Sequence, residues 1–205
     1  MMEEYAMMEE YQSIMKNDVW EIVPTPKGKS VVTSKWIYKI KHVADGSVEK
    51  YKAMFVARGF SQKEGINYDE TFSPVERYTS IRTIIVIASV MDWKLHQMDV
   101  KTTFLNDIVD HKVYIEKPHG FAIHESESHV CILKKALYGL KQAPRAWYAR
   151  IDGFLKCLGF VKNNANPNIY FKVDGFLVIL ILYVDNLFLA GNEKLIAGCK
   201  KELSK

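Results

Sequence analysis

Cysteine is scarce in this chain of 205 residues, and charge of one sign does not dominate it. The three cysteines, Cys131, Cys157 and Cys199, are odd in number and widely spaced, and no Cys-x-x-Cys pair occurs. This spacing excludes a disulfide framework and a zinc ribbon, and it predicts a reducing compartment. The net charge of +4 is too small to indicate a nucleic-acid partner by itself.

Long hydrophobic runs are also missing. The longest run, Phe176 to Val184, has nine residues and is closed by Asp185, whereas a membrane-spanning helix needs roughly 20. The N-terminus begins Met1-Met2-Glu3-Glu4 and lacks the charged-then-apolar layout of a signal peptide. These absences predict a chain that has no membrane segment and resides inside the cell.

The chain does contain enough apolar material for a packed core. Hydrophobic residues make up 48% and aromatic residues 12% of the sequence, which suits one domain or two small ones and excludes disorder or a coiled coil as the main state. Helical periodicity predicts helices over residues 1–16, 79–93, 143–158 and 193–205, the second capped by Thr79 or Ser80. The third is expected to bury Trp147, Ile151, Phe154, Leu155, Leu158 and Cys157.

Strands are predicted by period-two alternation and by flanking turn residues over residues 34–41, 48–58, 95–100, 113–116, 130–133, 170–173, 176–183 and 187–190. The first two form a hairpin around the turn at residues 44–47, and residues 113–116 and 130–133 form a second hairpin-like pair. Helices and strands are interspersed and many strands are joined by short turns. The predicted class is therefore α+β, with a mostly antiparallel sheet and helices on one face.

The first predicted hairpin is unusually basic, and its cations are Lys35, Lys39, Lys41, Lys50, Lys52 and Arg58. A cluster of this kind suits a polyanionic, phosphate-bearing substrate. The alternative is that these side chains form an ordinary solvated face.

Two acidic residues, Asp99 and Asp185, follow predicted buried strands. A carboxylate in such a place is costly to desolvate unless it meets a cation or a strong donor, and oxygen ligands from two neighbouring strands are what a hard ion such as Mg²⁺ requires. The alternative is that each aspartate caps a tight turn, as Asp-Asn pairs do well.

Several longer motifs, in order and at consistent spacing, favour the metal-binding interpretation of the two aspartates and leave both interpretations of the basic hairpin open. They are Lys35-Trp36-Ile37-Tyr38-Lys39-Ile40-Lys41, Tyr51-Lys52-Ala53, Val56-Ala57-Arg58-Gly59-Phe60-Ser61-Gln62, Tyr68-Asp69-Glu70-Thr71-Phe72-Ser73-Pro74-Val75, Gln97-Met98-Asp99-Val100-Lys101-Thr102, Ala136-Leu137-Tyr138-Gly139-Leu140-Lys141-Gln142-Ala143-Pro144-Arg145-Ala146-Trp147 and Leu182-Tyr183-Val184-Asp185. From about Trp20 to the last residue, the chain closely resembles the reverse transcriptase of copia-type LTR retrotransposons.

The resemblance implies a right-hand polymerase with an antiparallel palm sheet packed on helices. It implies one truncated reverse transcriptase domain over residues 1–205, with fingers at about 20–92 and 107–142, palm at about 93–106 and 143–205, and the thumb absent. It also implies two Mg²⁺ ions, with Mn²⁺ as a substitute, an RNA or DNA template-primer, and deoxynucleoside triphosphates. Ribonuclease H and integrase segments would be partners if expressed together, in the cytoplasm or in virus-like particles.

The resemblance also implies roles for single residues. Asp99 and Asp185 match the catalytic, metal-binding aspartates, and the Val100 carbonyl would assist the same metal. Phe104 matches the aromatic residue that excludes a 2′-hydroxyl. The remaining nucleotide-binding positions implied are Tyr138 and Gly139, together with Lys50, Lys52 and Arg58 on the fingers hairpin.

This sequence departs from the family pattern at Asn186, where a second catalytic aspartate is expected. Loss of one negative charge beside two divalent ions costs about 3 to 4 kcal/mol, which would lower the rate roughly 10²- to 10³-fold. Met54 replaces an arginine and His111 lies in a stretch that is usually acidic. These departures leave three hypotheses: an impaired RNA-directed DNA polymerase, an inactive relic that binds nucleic acid, and a decayed reading frame without a selected role.

Three loop histidines and one tryptophan suit structural roles better than chemical ones. His119, His124 and His129 recur every five residues in a polar loop with no cysteine pair nearby, so solvated histidines are favoured over a zinc site. Trp147 lies on the apolar stripe of its helix, so a place in the core is favoured over a base-stacking platform.

Overall fold

A computed structural model describes residues 2–100, 103–106, 108–109, 111–121 and 128–203. Its elements, in chain order, are α1 (Met2–Lys16), β1 (Trp20–Pro24), β2 (Val31–Val32), β3 (Ser34–His42), β4 (Val48–Ala57), α2 (Tyr78–Val90), β5 (Lys94–Asp99), β6 (Tyr114–Ile115), β7 (His129–Leu133), α3 (Ala143–Cys157), β8 (Val161–Lys162), β9 (Ile169–Asp174), β10 (Phe176–Tyr183), β11 (Asn186–Gly191) and α4 (Glu193–Leu203). Short 3₁₀ turns cover Gly59–Ser61 and Thr103–Asn106. The protein is thus a mixed α/β structure, and each predicted helix and strand has a counterpart in it.

The chain forms two compact units. The first comprises residues 1–72 and 104–147, and the second comprises residues 73–103 and 148–205. The fingers and palm expected from the resemblance divide the chain at other positions, since they place residues 73–92 with the fingers. That assignment stays a prediction.

The first unit contains a four-stranded sheet in the order β1-β7-β6-β2 and the two-stranded ribbon β3-β4. Its pairings are antiparallel except for that of β2 with β6. The core brings Ile14 of α1 together with Trp20 and Phe55, whose rings meet edge to face at 5.6 Å. Strand β1 was not predicted because Pro24 breaks the pattern, yet proline is tolerated on an edge strand such as this one.

The second unit is built on an antiparallel sheet in the order β5-β11-β10-β9-β8. Helix α2 packs on it through Ile84 and Ala88, which cluster with Ile181 of β10 and Ala190 of β11. The predicted cap of this helix is wrong, because α2 begins at Tyr78 after Arg77, which has extended backbone and makes no side-chain capping bond. The helix is held by burial of its apolar face against the sheet rather than by a side-chain cap.

Helix α3 buries Trp147, Ile151 and Leu155, which recur every four residues. Trp147 is therefore a core residue, as predicted. Phe154 is 39% exposed, and Cys157 is exposed at the last residue of the helix. The prediction that these two side chains are buried is wrong, since both lie off the stripe that faces the core.

Within the described parts of the chain, none of the helices combines the length and the apolar character needed to cross a bilayer.

Candidate active site

The two predicted catalytic segments meet at one edge of the five-stranded sheet. Strand β5 ends at Asp99, and its pairing with β11 places Asn186 directly opposite Asp99. Just beyond the strand, the Val100 N–H donates a hydrogen bond to the Asp185 carbonyl oxygen, at 2.8 Å. The fold therefore brings Asp99, Val100, Asp185 and Asn186 together within the second unit.

The hairpin that carries Asp185 has a two-residue loop. Tyr183 pairs with Asn186, which leaves Val184 and Asp185 as the loop residues. Val184 has a φ of 54°, a conformation that favours glycine and that costs a β-branched residue of order 1 to 3 kcal/mol. Two-residue hairpin loops need a positive φ at this point. The strained conformation of Val184 is therefore part of the loop that holds Asp185.

The Asn186 amide is held at both ends. Its Nδ2 donates to Asp185 Oδ1 at 2.8 Å, and its Oδ1 accepts a hydrogen bond from Gln97 Nε2 at 2.7 Å. Gln97 was not singled out from the sequence, although its position two residues before Asp99 places both side chains on one face of β5. The amide therefore presents its positive end to the Asp185 carboxylate.

The two aspartates differ in exposure. Asp185 is half-buried and follows the apolar strand β10, as expected, but Asp99 is exposed. The prediction that Asp99 follows a buried strand is wrong because β5 is an edge strand with alternating exposure. The desolvation argument for a cation at Asp99 therefore does not hold, and the case for this residue rests on its neighbours.

The donor chemistry at this edge fits a hard divalent ion. The carboxylates of Asp99 and Asp185 are oxygen ligands, and so is the Val100 carbonyl, which accepts one hydrogen bond from Thr103 Oγ1 at 2.8 Å and keeps a second lone pair. In the portion of the chain that the structure covers, no group of three or more His, Cys, Asp and Glu side chains is arranged to hold a metal. These residues therefore fit a divalent ion with two carboxylate ligands, because Asn186 stands where the family pattern has a third.

The β3-β4 ribbon of the first unit concentrates positive charge on one face. Lys39 lies opposite Lys52 and Lys41 lies opposite Lys50 in the pairing, and directly opposed residues share a face. Like charges in such pairs are destabilising unless an anion intervenes. The three predicted phosphate contacts, Lys50, Lys52 and Arg58, are all exposed.

Lys50 has a protein anion as its partner. Its Nζ lies 2.7 Å from Glu9 Oε2 of α1, and this hydrogen bond and charge raise the pKa of Lys50 above its ordinary value. A phosphate would have to compete with Glu9 for this lysine, which sequence spacing could not reveal.

Phe104, Tyr138 and Gly139 lie together in the first unit. The Phe104 ring meets the Tyr138 ring edge to face, with centroids 5.0 Å apart, and the Tyr138 carbonyl accepts a hydrogen bond from the Ala57 N–H at 2.8 Å. Gly139 has a φ of 87°, and a Cβ there would collide with the Ala57 carbonyl oxygen. The turn therefore needs glycine for both its conformation and its close approach to β4.

Two of the three loop histidines, His119 and His129, line the same cavity. Among the described residues they are not part of any group of three or more His, Cys, Asp and Glu side chains that could hold a metal. His119 is exposed, and His124 lies outside the described residues. His111, which the sequence marked as a departure from the family pattern, pairs with Asp69 at 3.1 Å.

Comparison with known proteins decides the family. Residues 17–205 match the family described as reverse transcriptase (RNA-dependent DNA polymerase). The chain belongs to this family. The resemblance to copia-type retrotransposons seen in the sequence is confirmed, because the relatives below are polyproteins of such elements.

This reverse transcriptase chain is 45% identical over 203 residues to the retrovirus-related Pol polyprotein from transposon TNT 1-94 of Nicotiana tabacum. The aligned region covers 98% of the chain and 15% of that polyprotein. It is 39% and 38% identical over 190 residues to the corresponding polyproteins from transposons RE1 and RE2 of Arabidopsis thaliana, covering 92% of the chain and 13% of each relative. The chain thus spans a small part of the length of the curated relatives it matches. Reverse transcriptases generally use divalent metal ions.

Proposed function

We propose that this chain is the nucleotidyl-transfer part of an RNA-directed DNA polymerase, and that transfer in it is weakened by Asn186. The observation that carries the proposal is the meeting of Asp99, Asp185 and Asn186 at one sheet edge in a chain of the reverse transcriptase family. The reaction joins a deoxynucleotide to the 3′ end of a primer on an RNA or DNA template.

The proposed palm is the sheet of the second unit. Asp99 and Asp185 would hold two Mg²⁺ ions, or Mn²⁺ in their place, and the Val100 carbonyl would add a ligand. Such ions supply charge neutralisation on the triphosphate and activation of the primer hydroxyl. The chain's own part is to fix the two carboxylates, Asp99 at a strand end and Asp185 in a strained two-residue loop, so that little reorganisation is needed at the moment of reaction.

The proposed fingers include the β3-β4 ribbon. The opposed lysine pairs support contact with phosphates, because a polyanion would relieve the repulsion between them. All three cations of the predicted set are exposed, but Lys50 must first leave Glu9. Long-range attraction of this kind carries no sequence preference.

Phe104 is proposed to select deoxynucleotides by excluding a 2′-hydroxyl. Its support is the edge-to-face contact with Tyr138, which limits the rotation of the ring. The Gly139 turn would in turn keep Tyr138 against the end of β4.

Asn186 is proposed to weaken catalysis in two ways. It removes a negative charge from a site for two divalent ions, and its amide donates a hydrogen bond to Asp185 that competes with an ion for the same oxygen. Together these effects would raise the activation free energy by about 3 to 4 kcal/mol, which lowers the rate roughly 10²- to 10³-fold.

The proposed setting is a Pol polyprotein, expressed inside the cell and located in the cytoplasm or in virus-like particles. Ribonuclease H and integrase segments would then be neighbours of this chain. The support is that the relatives are Pol polyproteins of which the chain spans only 15% and 13%.

A second candidate is binding of nucleic acid without polymerisation. The Asn186–Asp185 contact favours it, since this contact opposes metal binding while the lysine ribbon remains intact.

Single-nucleotide incorporation on an RNA template and DNA primer, read beside fluorescence anisotropy of the same duplex, separates the two candidates. The proposal expects slow incorporation that disappears in Asp99→Asn while duplex binding is kept. Binding without incorporation in either protein supports the second candidate, and incorporation that survives Asp99→Asn contradicts the proposed site.

A further inference from the structure

Gln97 makes one contact that the proposed reaction does not use. It lies opposite Phe188 in the β5-β11 pairing, which makes it the diagonal neighbour of Asn186 on the same face of the sheet. Its Nε2 donates to Asn186 Oδ1 at 2.7 Å. Both side chains reach this face beside Asp99, at the end of β5.

This contact fixes the direction of the Asn186 amide. An amide has a negative oxygen end and a positive nitrogen end, and only one of them can face Asp185. With its oxygen accepting from Gln97, Asn186 turns Nδ2 toward Asp185 Oδ1, at 2.8 Å. The end that would attract a cation is therefore the end that Gln97 occupies.

We propose that Gln97 is a positioning residue that sets which end of the side chain at position 186 faces the Asp185 carboxylate. This inference rests on the proposed function, because it concerns the affinity of the same edge for a divalent ion. In this chain, Gln97 holds the amide in the orientation that repels a cation. With aspartate at position 186, the same N–H would bind one carboxylate oxygen and leave the other for an ion.

Removal of the Gln97 donor should therefore change the affinity for a divalent ion in opposite directions, depending on whether residue 186 is asparagine or aspartate. When Asn186 is present, removing the Gln97 donor frees the amide to turn its oxygen toward the cation. When aspartate is present, removing the donor releases a carboxylate that had been oriented for the ion, and loss of such an outer hydrogen bond typically weakens metal affinity about 10- to 100-fold. A purely structural role of Gln97 would lower affinity in both.

The experiment compares the parent with Gln97→Met, Asn186→Asp and the double variant. Methionine keeps the length of the side chain and removes its N–H donors. The probe is Mn²⁺ alone, and its dissociation constant is measured by electron paramagnetic resonance of the free ion. Gln97→Met should tighten Mn²⁺ binding of the parent by about two- to tenfold, the worth of one neutral hydrogen bond, and should weaken binding by about tenfold in the Asn186→Asp background.

Gln12→Met is the matched control, because Gln12 is exposed on α1 in the other unit. It should leave Mn²⁺ affinity unchanged in both backgrounds. Effects of Gln97→Met with the same sign in both backgrounds, or effects no larger than those of Gln12→Met, would overturn the inference.

A second readout keeps this test separate from that of the proposed function. Hydrogen exchange of the Asn186 side-chain amide, followed by NMR without metal, should accelerate in Gln97→Met and stay unchanged in Gln12→Met. Absence of Mn²⁺ binding in all variants would contradict the proposed function, and the exchange rate would then decide the role of Gln97 alone. An Asn186 amide that exchanges equally in parent and Gln97→Met would overturn the inference.

Discussion

Asn186 lies directly across the β5-β11 ladder from Asp99, and its amide nitrogen contacts Asp185 rather than leaving that carboxylate open. One substitution thus changes both the charge of the edge and its hydrogen bonding.

The exposed cations of the ribbon should account for part of the salt dependence of nucleic-acid binding. Replacing Lys52 and Arg58 together by alanine should reduce the slope of log K against log salt by about 1.4 to 1.8, because each lost phosphate contact removes about 0.7 to 0.9. Fluorescence anisotropy over a salt series measures this slope. Lys27→Ala, at an exposed loop lysine, is the control, and a slope equal to that of the control would show that the ribbon is only a solvated face.

Lys50 should become available when its partner is neutralised. Glu9→Gln removes the carboxylate that lies 2.7 Å from the lysine, so nucleic-acid affinity should rise and the salt slope should steepen by up to about 0.9. Glu64→Gln makes the same charge change in an exposed loop of the same unit. Equal effects of the two variants would mean that Lys50 does not contact phosphate.

Asp152 should make the stability of the second unit depend on pH. Burial by itself would raise the pKa of this carboxyl group, but hydrogen bonds from Lys156, Tyr170 and Lys162 outweigh it and hold the pKa below its ordinary value. Because the pKa is lower in the folded protein, the stabilisation is complete above the ordinary value near 4 and is lost as pH falls toward the folded value.

The variant that tests this is Asp152→Asn. The side chain is only 14% exposed, so the change should lower the free energy of unfolding by about 1 to 3 kcal/mol at pH 7. Urea unfolding at pH 7 and at pH 3 should show the gap between parent and variant shrinking at the lower pH. Asp174→Asn, at an exposed strand end, should change neither value, and a gap that is the same at both pH values would refute the ion-pair explanation.

Gly139 should tolerate alanine less well than another glycine of similar φ. Gly28 has a φ of 72° and open space around its Cβ position, whereas a Cβ at Gly139 meets backbone atoms of β4. Gly28→Ala should therefore cost about 1 kcal/mol of unfolding free energy from backbone strain alone, and Gly139→Ala about 2 to 4 kcal/mol. Equal losses in urea unfolding would mean that the turn does not pack closely on β4.

Much of the fold follows from local patterns. The ribbon β3-β4 was predicted because alternation and turn residues act over a few positions, and β10 was predicted from its run of apolar residues. Strand β1 and the exposure of Asp99 were not predicted, because both depend on which strands lie at a sheet edge. Strand order cannot be obtained from local sequence patterns. The family motifs pointed to Asp99, Asp185 and Asn186, but the Gln97–Asn186 and Lys50–Glu9 contacts join residues 89 and 41 positions apart and needed the tertiary structure.

The most direct test of the central claim is primer extension by the parent and by Asn186→Asp, with Mg²⁺ on an RNA template. Restoring the carboxylate returns a charge aimed at the ions that stabilise the transition state, so the variant should extend the primer at least about ten times faster, one decade being 1.36 kcal/mol. Asp99→Asn in the restored background should abolish the gain. Equal extension by parent and Asn186→Asp, or a gain that survives Asp99→Asn, would contradict the account.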